Sequence, residues 1–358
     1  MVINKAKLQS ALAIVKPGLA ARELIDQSTS FVFMDGMVVT YNDEICIAHP
    51  LEAFCVEGAV KADKLYAFLS KIKTEEISLD VVGNELCIIA GRSEVKIPME
   101  AQIKLPSKEA IGAIGNWNTL PENFLRLMSF AMGSCSTDFS KPKFTCVHVG
   151  ENGIIEGTDG YKITHCKLGV AMPVSTFLIP ANSVVTMLAI EPTQIAEGKG
   201  WIHFRTEMGT ILSCRTFEDS FPDTSPHLVI TGEIIPLPRT IKEILERAQI
   251  FSKRDHALEE QVDITLEDRR FKIQAGSEDG TFKEEVNIKY DGEPITFAIA
   301  PFLLQRIVAE TTSCLFCENK LKFEGVDWIY IACLKTVKKT KEKKSKKEVK
   351  DTEHAEPF

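Results

Sequence analysis

PENFLRLMSFAM, residues 121–132, sets Phe124, Leu127, Met128 and Ala131 at the three- and four-residue spacing of one helix face. KAKLQSALAIV (5–15) does the same with Leu8, Leu12 and Val15, and RTIKEILERAQI (239–250) with Ile241, Ile244, Leu245 and Ala248. Taken from 5, 121 and 239, these segments start 116 and 118 residues apart. A second set, KADKLYAFLSKIK (from 61), PANSVVTMLAI (from 180) and APFLLQRIVAE (from 300), starts 119 and 120 apart. Alternating patterns such as FVFMDGMVVTYN, ISLDVVGNELCIIAG and VDITLEDRRFKIQAG lie between them. Asp35-Gly36, Gly83-Asn84, Asp159-Gly160 and Asp291-Gly292 read as hairpin turns. A unit of helix, antiparallel strands, second helix and further strands is thus used three times. It predicts an α+β fold with domains at 1–115, 116–232 and 233–335, followed by a disordered, lysine-rich tail at 336–358.

Charge divides the chain further. Its 42 Lys and Arg against 50 Asp and Glu give −8. From Lys335 onward nine lysines face five acids, a net of +4, so residues 1–334 carry −12. So acidic a body argues against nonspecific DNA binding over the whole surface but allows a local basic face. The polar sides of the six helical segments carry Lys5, Lys7, Lys61, Lys64, Lys71, Arg126, Asn182, Arg239, Lys242, Arg247, Gln305 and Arg306. Singly these are ordinary solvated positions. On equivalent helices of a repeated unit they can line one surface that holds phosphates without reading bases.

No stretch approaches the roughly 20 apolar residues of a membrane helix. Lys5, Lys7, Gln9, Lys16 and Pro17 break the N-terminal segment, which predicts a cytoplasmic protein without a signal peptide or membrane partner. Several of the ten cysteines sit in apolar runs such as EICIA and FTCVHV and read as small buried hydrophobes. Cys314 and Cys317 form the single CxxC. With no second pair and no ligand spacing around His148, His165 and Cys166, no metal and no cofactor are expected. GxSxG, HExxH, GxxxxGK[ST] and a strand-to-helix GxGxxG are all missing from the sequence, so no enzyme is expected.

GTDGYKITHCKL (157–168) resembles the TDGHRLA segment in the middle domain of the bacterial DNA polymerase sliding clamp, the beta subunit of the DNA polymerase III holoenzyme. SFPDTSPHLVI (220–230) is similar to that family's FPDYRRVLP stretch. RTIKEILERAQIFSKRD through APFLLQRIVAE resembles the clamp's last domain, and KLQSALAIVKPGL its first helix. The resemblance runs in order from about residue 3 to 335.

It implies a head-to-tail homodimer closing a ring around double-stranded DNA, a processivity factor that tethers the replicative polymerase and is opened by a clamp loader. The helix faces with Lys5, Lys7, Lys61, Lys64, Lys71, Arg126, Arg239, Lys242, Arg247 and Arg306 would face DNA. The family's peptide cleft, which takes clamp-binding motifs of several partners, maps onto Phe144, Thr158, Gly160, Tyr161, Lys162, Ile163, Pro222, Pro226, His227, Ile331, Ala332, Cys333, Leu334 and Lys335. Tyr161-Lys162 stands for the family's His-Arg, and Ala332-Cys333-Leu334 for its Met-Pro-Met, which implies a somewhat different peptide. The alternative is a non-encircling scaffold or inhibitor of the replication machinery on the same fold. The added tail and the divergence would suit a phage or other mobile-element replicon.

Overall fold

The computed structural model describes residues 1–51, 55–106 and 112–335; the expected tail lies outside them. Helix α1 (Lys5–Val15) starts where Asn4 Oδ1 accepts from the Lys7 amide at 3.1 Å. It ends where the buried Thr40 hydroxyl donates to the Val15 carbonyl at 2.6 Å. Its apolar stripe, Leu8, Ala11, Leu12 and Val15, is buried. There follow α2 (Ala62–Lys71), α3 (Phe124–Met132), α4 (Ala181–Ile190), a short α5 (Ser225–Leu228) and α6 (Ile241–Ser252). The starts of α1, α3 and α6, at 5, 124 and 241, lie 119 and 117 residues apart, and those of α2 and α4, at 62 and 181, lie 119 apart. A short strand precedes α2 and α4 (Gly58–Lys61, Phe177–Pro180), and Ile295–Ile299 stands at the third equivalent place. The chain is therefore α+β, with the repeat carried by real elements.

Two expectations need correction. Residues 300–310 form no α-helix; two 3-10 turns, Pro301–Leu303 and Ile307–Ala309, replace it. Their tighter i→i+3 bonds, Ala309 to Arg306 and Glu310 to Ile307, still bury Leu303, Leu304, Ile307 and Val308. The apolar spacing thus serves a more tightly wound, interrupted path. Asp291-Gly292 is not a hairpin turn either. The strand after it, Ile295–Ile299, pairs with Val262–Glu267, not with the preceding Gly280–Asn287. The tight turns in that sheet are Asp268-Arg269, both at positive φ, and Glu278-Asp279, and Arg269 Nε reaches Asp291 Oδ1 at 2.5 Å.

The chain divides into two compact units, Met1–Ile235 with Leu303–Cys333, and Pro236–Phe302 with Leu334 onward. The first holds a twelve-stranded sheet in which Ile45–Pro50 pairs with Ile211–Arg215, joining strands of the first and second sequence repeats. It also holds an eight-stranded sheet in which Lys162–Lys167 pairs with Trp328–Cys333, joining the second and third. The second unit packs α6 on the four-stranded sheet ordered Gly280–Asn287, Arg270–Ser277, Val262–Glu267, Ile295–Ile299. The third repeat is thus shared between units, because its last three strands continue a hydrogen-bonded ladder begun by the second. Among the described residues no helix is long and apolar enough to cross a membrane.

His203 in the twelve-stranded sheet is fully buried, with Nδ1 2.8 Å from Ser213 Oγ. Burial disfavours its charged form and holds it at about 4, below its usual 6.5. The fold keeps it neutral, so its contribution is complete above pH 6.5 and is lost as the pH falls from 6.5 to about 4. Between pH 7 and 4.5 this predicts a loss of roughly 2–3 kcal/mol. His203→Gln should lack that component in urea unfolding, and equal pH slopes for both proteins would refute the assignment.

Candidate functional site

The TDGYK turn is held by its own side chains. Asp159 Oδ1 accepts from the amides of Tyr161 at 2.8 Å and Lys162 at 2.9 Å, an Asx turn between strands Ile154–Thr158 and Lys162–Lys167. Thr158 Oγ1 donates to the Lys162 carbonyl at 2.7 Å and accepts from the Gly160 amide at 3.0 Å. Gly160 takes φ +90°, which a side chain rarely adopts, and a Cβ there would meet nothing within 4 Å. The Tyr161 carbonyl then accepts from the Cys333 amide at 2.8 Å, starting the ladder that sets Ile163 opposite Ile331.

Around this turn lies a cavity of about 200 Å³. Phe144, Thr158, Gly160, Tyr161, Lys162, Ile163, Pro222, His227, Ile331 and Cys333 line it, ten of the fourteen expected residues. Ala332 is fully buried on the other face of the strand, as the alternation of Ile331 and Cys333 requires. Pro226 is exposed at the start of α5 and does not line the cavity. Leu334 and Lys335 belong to the second unit, where the Lys335 amide donates to Ala298 and its ammonium to the Glu260 carbonyl at 2.6 Å. Sequence reasoning missed Asp223, Thr224 and Lys320, which also line the cavity. The first two lie between Pro222 and Pro226 and were open to the same reasoning. Lys320 depends on a hairpin register that sets it opposite Cys333.

The wall is mostly apolar, with a charged mouth. Lys320 Nζ lies 3.3 Å from His227 Nδ1. Lys162 is largely buried, which pushes its ammonium pKa down against the opposing pull of Asp159, 3.7 Å away. The Asp223 carboxylate accepts from the Ser225 amide and hydroxyl. Beneath the loop that carries Pro222, the buried Glu156 gathers three donors. His165 Nδ1 lies 2.8 Å from Oε1, His148 Nδ1 3.1 Å from Oε2, and the Thr224 hydroxyl also bonds Oε1. Burial alone would raise the Glu156 pKa, but these hydrogen bonds outweigh it and hold the carboxyl at about 2. Phe221 stacks on His148 at 4.8 Å, so this polar cluster anchors the loop from below. His148 and His165 do converge, on a carboxylate.

The expected DNA-facing residues divide by their partners. Lys61 is bound by Glu23, Arg126 by Asp327, and Arg247 by a two-pronged pair with Glu284 at 2.7 and 3.0 Å. Arg306 donates to the Ser129 carbonyl at 2.7 Å near the end of α3. Lys5 reaches the Ile72 carbonyl at 3.5 Å, and Lys64 lies 3.9 Å from Asp63. Lys7, Lys71, Arg239 and Lys242 are exposed. Cys314 is buried and Cys317 half-buried, three residues apart on strand Ser313–Cys317, a spacing that alternation turns to opposite faces.

No protein-family model matches the sequence, and no curated protein does. Solved structures do. The DNA polymerase III subunit beta of Pseudomonas aeruginosa superposes with a TM-score of 0.80 at 17% identity, over 94% of this chain and 100% of its own. The beta chain from Streptococcus pneumoniae gives 0.80 at 17%, over 94% and 99%. The sliding clamp of Bacillus subtilis gives 0.79 at 14%, over 94% and 99%. The chain has the fold of the bacterial sliding clamps.

Proposed function

We propose that the protein is a DNA sliding clamp. Two copies close head to tail into a ring around duplex DNA, and the cleft beside Gly160 tethers a replicative polymerase and, in turn, a clamp loader and other proteins with apolar linear motifs. The protein catalyses nothing in this reading. Topology supplies retention, so phosphate contacts stay weak enough for sliding, and tethering raises the polymerase's effective concentration at its template. The observation that supports the reading is the cleft itself: in a chain with the clamp fold, nine residues expected from the TDG, FPD and last-strand resemblances line one apolar cavity together with Phe144. Domains at 1–115, 116–232 and 233–335 remain the functional division, six per ring, working in the cytoplasm.

Light scattering from low to high micromolar protein should give twice the chain mass, as head-to-tail closure requires. The deciding test is retention on nicked circular DNA after loading, with escape once the circle is linearised. Lys7→Glu, Lys71→Glu and Lys242→Glu together should shorten retention at 50 mM salt by at least tenfold. Each neutralised contact should reduce the salt slope by about 0.9. The non-encircling scaffold has one observation in its favour, that Lys61, Arg126 and Arg247 are ion-paired within the chain and Arg306 is held by the Ser129 carbonyl. A scaffold would be indifferent both to the three reversals and to linearisation.

A further inference from the structure

We infer that the cleft's resident occupant is the chain's own segment Asp351–Phe358, a tethered competitor that outside partners must displace. This rests on the peptide-cleft reading. The cavity of about 200 Å³ is walled by Phe144, Ile163, Pro222 and Ile331. An apolar cavity of about 150 Å³ accepts benzene, so one aromatic ring fits. The mouth carries one cation without a carboxylate partner among the described ion pairs, Lys320, which stands 3.3 Å from His227 Nδ1, while Lys162 is paired with Asp159 and the one acid on the lining, Asp223, is turned to the Ser225 amide and hydroxyl. The matching ligand is an aromatic anchor with carboxylates close beside it.

DTEHAEPF, residues 351–358, has that chemistry: Asp351, Glu353 and Glu356, no lysine or arginine, and Phe358 behind Pro357. Proline restricts the backbone before the anchor and lowers the entropy lost on docking. Residues 336–350, TVKKTKEKKSKKEVK, form a 15-residue spacer rich in lysine. Their positive charge suits an acidic body of −12 and not a cavity whose mouth presents Lys320. The spacer begins three residues after Cys333, which lines the cavity, so the covalent chain starts within about 11 Å of the wall. Fifteen residues span at most about 50 Å, ample to reach the cavity, and short tethers give effective concentrations near about 1 mM. A segment that binds as weakly as about 100 μM would then fill the cleft about nine-tenths of the time.

The test uses full chains and a dye-labelled synthetic peptide, VKDTEHAEPF, followed by fluorescence polarisation. The wild-type chain should bind it at least tenfold more weakly than Phe358→Ala, whose own tail cannot compete. Lys320→Glu in the Phe358→Ala chain should abolish the binding, and the same peptide carrying Glu356→Lys should restore it there. Equal affinity for wild type and Phe358→Ala, or no binding to either, overturns self-occupancy. A random-peptide display selection on the Phe358→Ala chain, repeated with Gly160→Arg added, separates the two failures. Selected peptides lost on Gly160→Arg, with VKDTEHAEPF inert, leave the cleft standing and remove the tail from it. No selected peptide that depends on Gly160 removes both.

Discussion

Gly160→Arg weakens a cleft-binding peptide by at least about a hundredfold, equivalent to about 2.7 kcal/mol. A Cβ at Gly160 meets no atom within 4 Å, and Gly160 lines the cavity, so the arginine fits at the cavity's rim without displacing the fold. Apolar anchors in desolvated pockets contribute most of such binding energy, and a side chain over the pocket removes that contribution directly. The unfavourable backbone conformation itself costs the fold about 1–3 kcal/mol. Gly160→Ala carries the same backbone strain without covering the cavity and should keep most of the affinity. Polarisation titrations with a display-selected peptide, set beside urea midpoints, check both. An undiminished affinity for Gly160→Arg would move the partner site elsewhere.

The second large effect lies one strand turn below. Glu156→Ala leaves His148, His165 and the Thr224 hydroxyl facing an empty buried position, and should cost about 3 kcal/mol. Because Thr224 lines the cleft and Phe221 stacks on His148, the loop from 221 to 228 should also exchange its amide hydrogens faster. Glu156→Gln keeps the shape but retains one acceptor oxygen, so a smaller loss is expected. The pH dependence has a definite sign. With its pKa depressed to about 2 from 4.5, Glu156 stabilises the fold fully above pH 4.5, and that contribution is lost as the pH falls toward 2. It therefore acts in a more acidic window than His203. Urea midpoints from pH 5 to 2 for wild type and Glu156→Ala should converge; parallel curves would show that the carboxylate is not what the cluster stabilises.

Local chemistry was legible where it closes within a few residues. The Asx turn at Asp159, the positive φ at Gly160 and the apolar stripes of α1, α3 and α6 each involve neighbours along the chain. The stripe at 300–310 shows the limit of such patterns. Spacing of three and four residues is compatible with both α and 3-10 winding, and packing chose the second. Arg126 looked like a free cation because its partner, Asp327, is 201 residues away. Glu156, His148, His165 and Thr224 carried no motif, since a carboxylate on one strand, two histidines on its neighbours and a loop threonine meet only after the sheet forms.

By itself the sequence determined five of its six expected helices, the period near 118 residues, the acidic body and the turn that builds the cleft's rim, because each follows from local conformational preference or composition. Tertiary structure alone decided that the third repeat is divided between two compact units, since strand Trp328–Cys333 completes the second repeat's sheet. It also decided that Lys320 stands at the cleft while Lys335 does not, and which basic side chains are neutralised within the chain. Those outcomes rest on strand register and on ion pairs between distant residues, and a linear pattern contains neither.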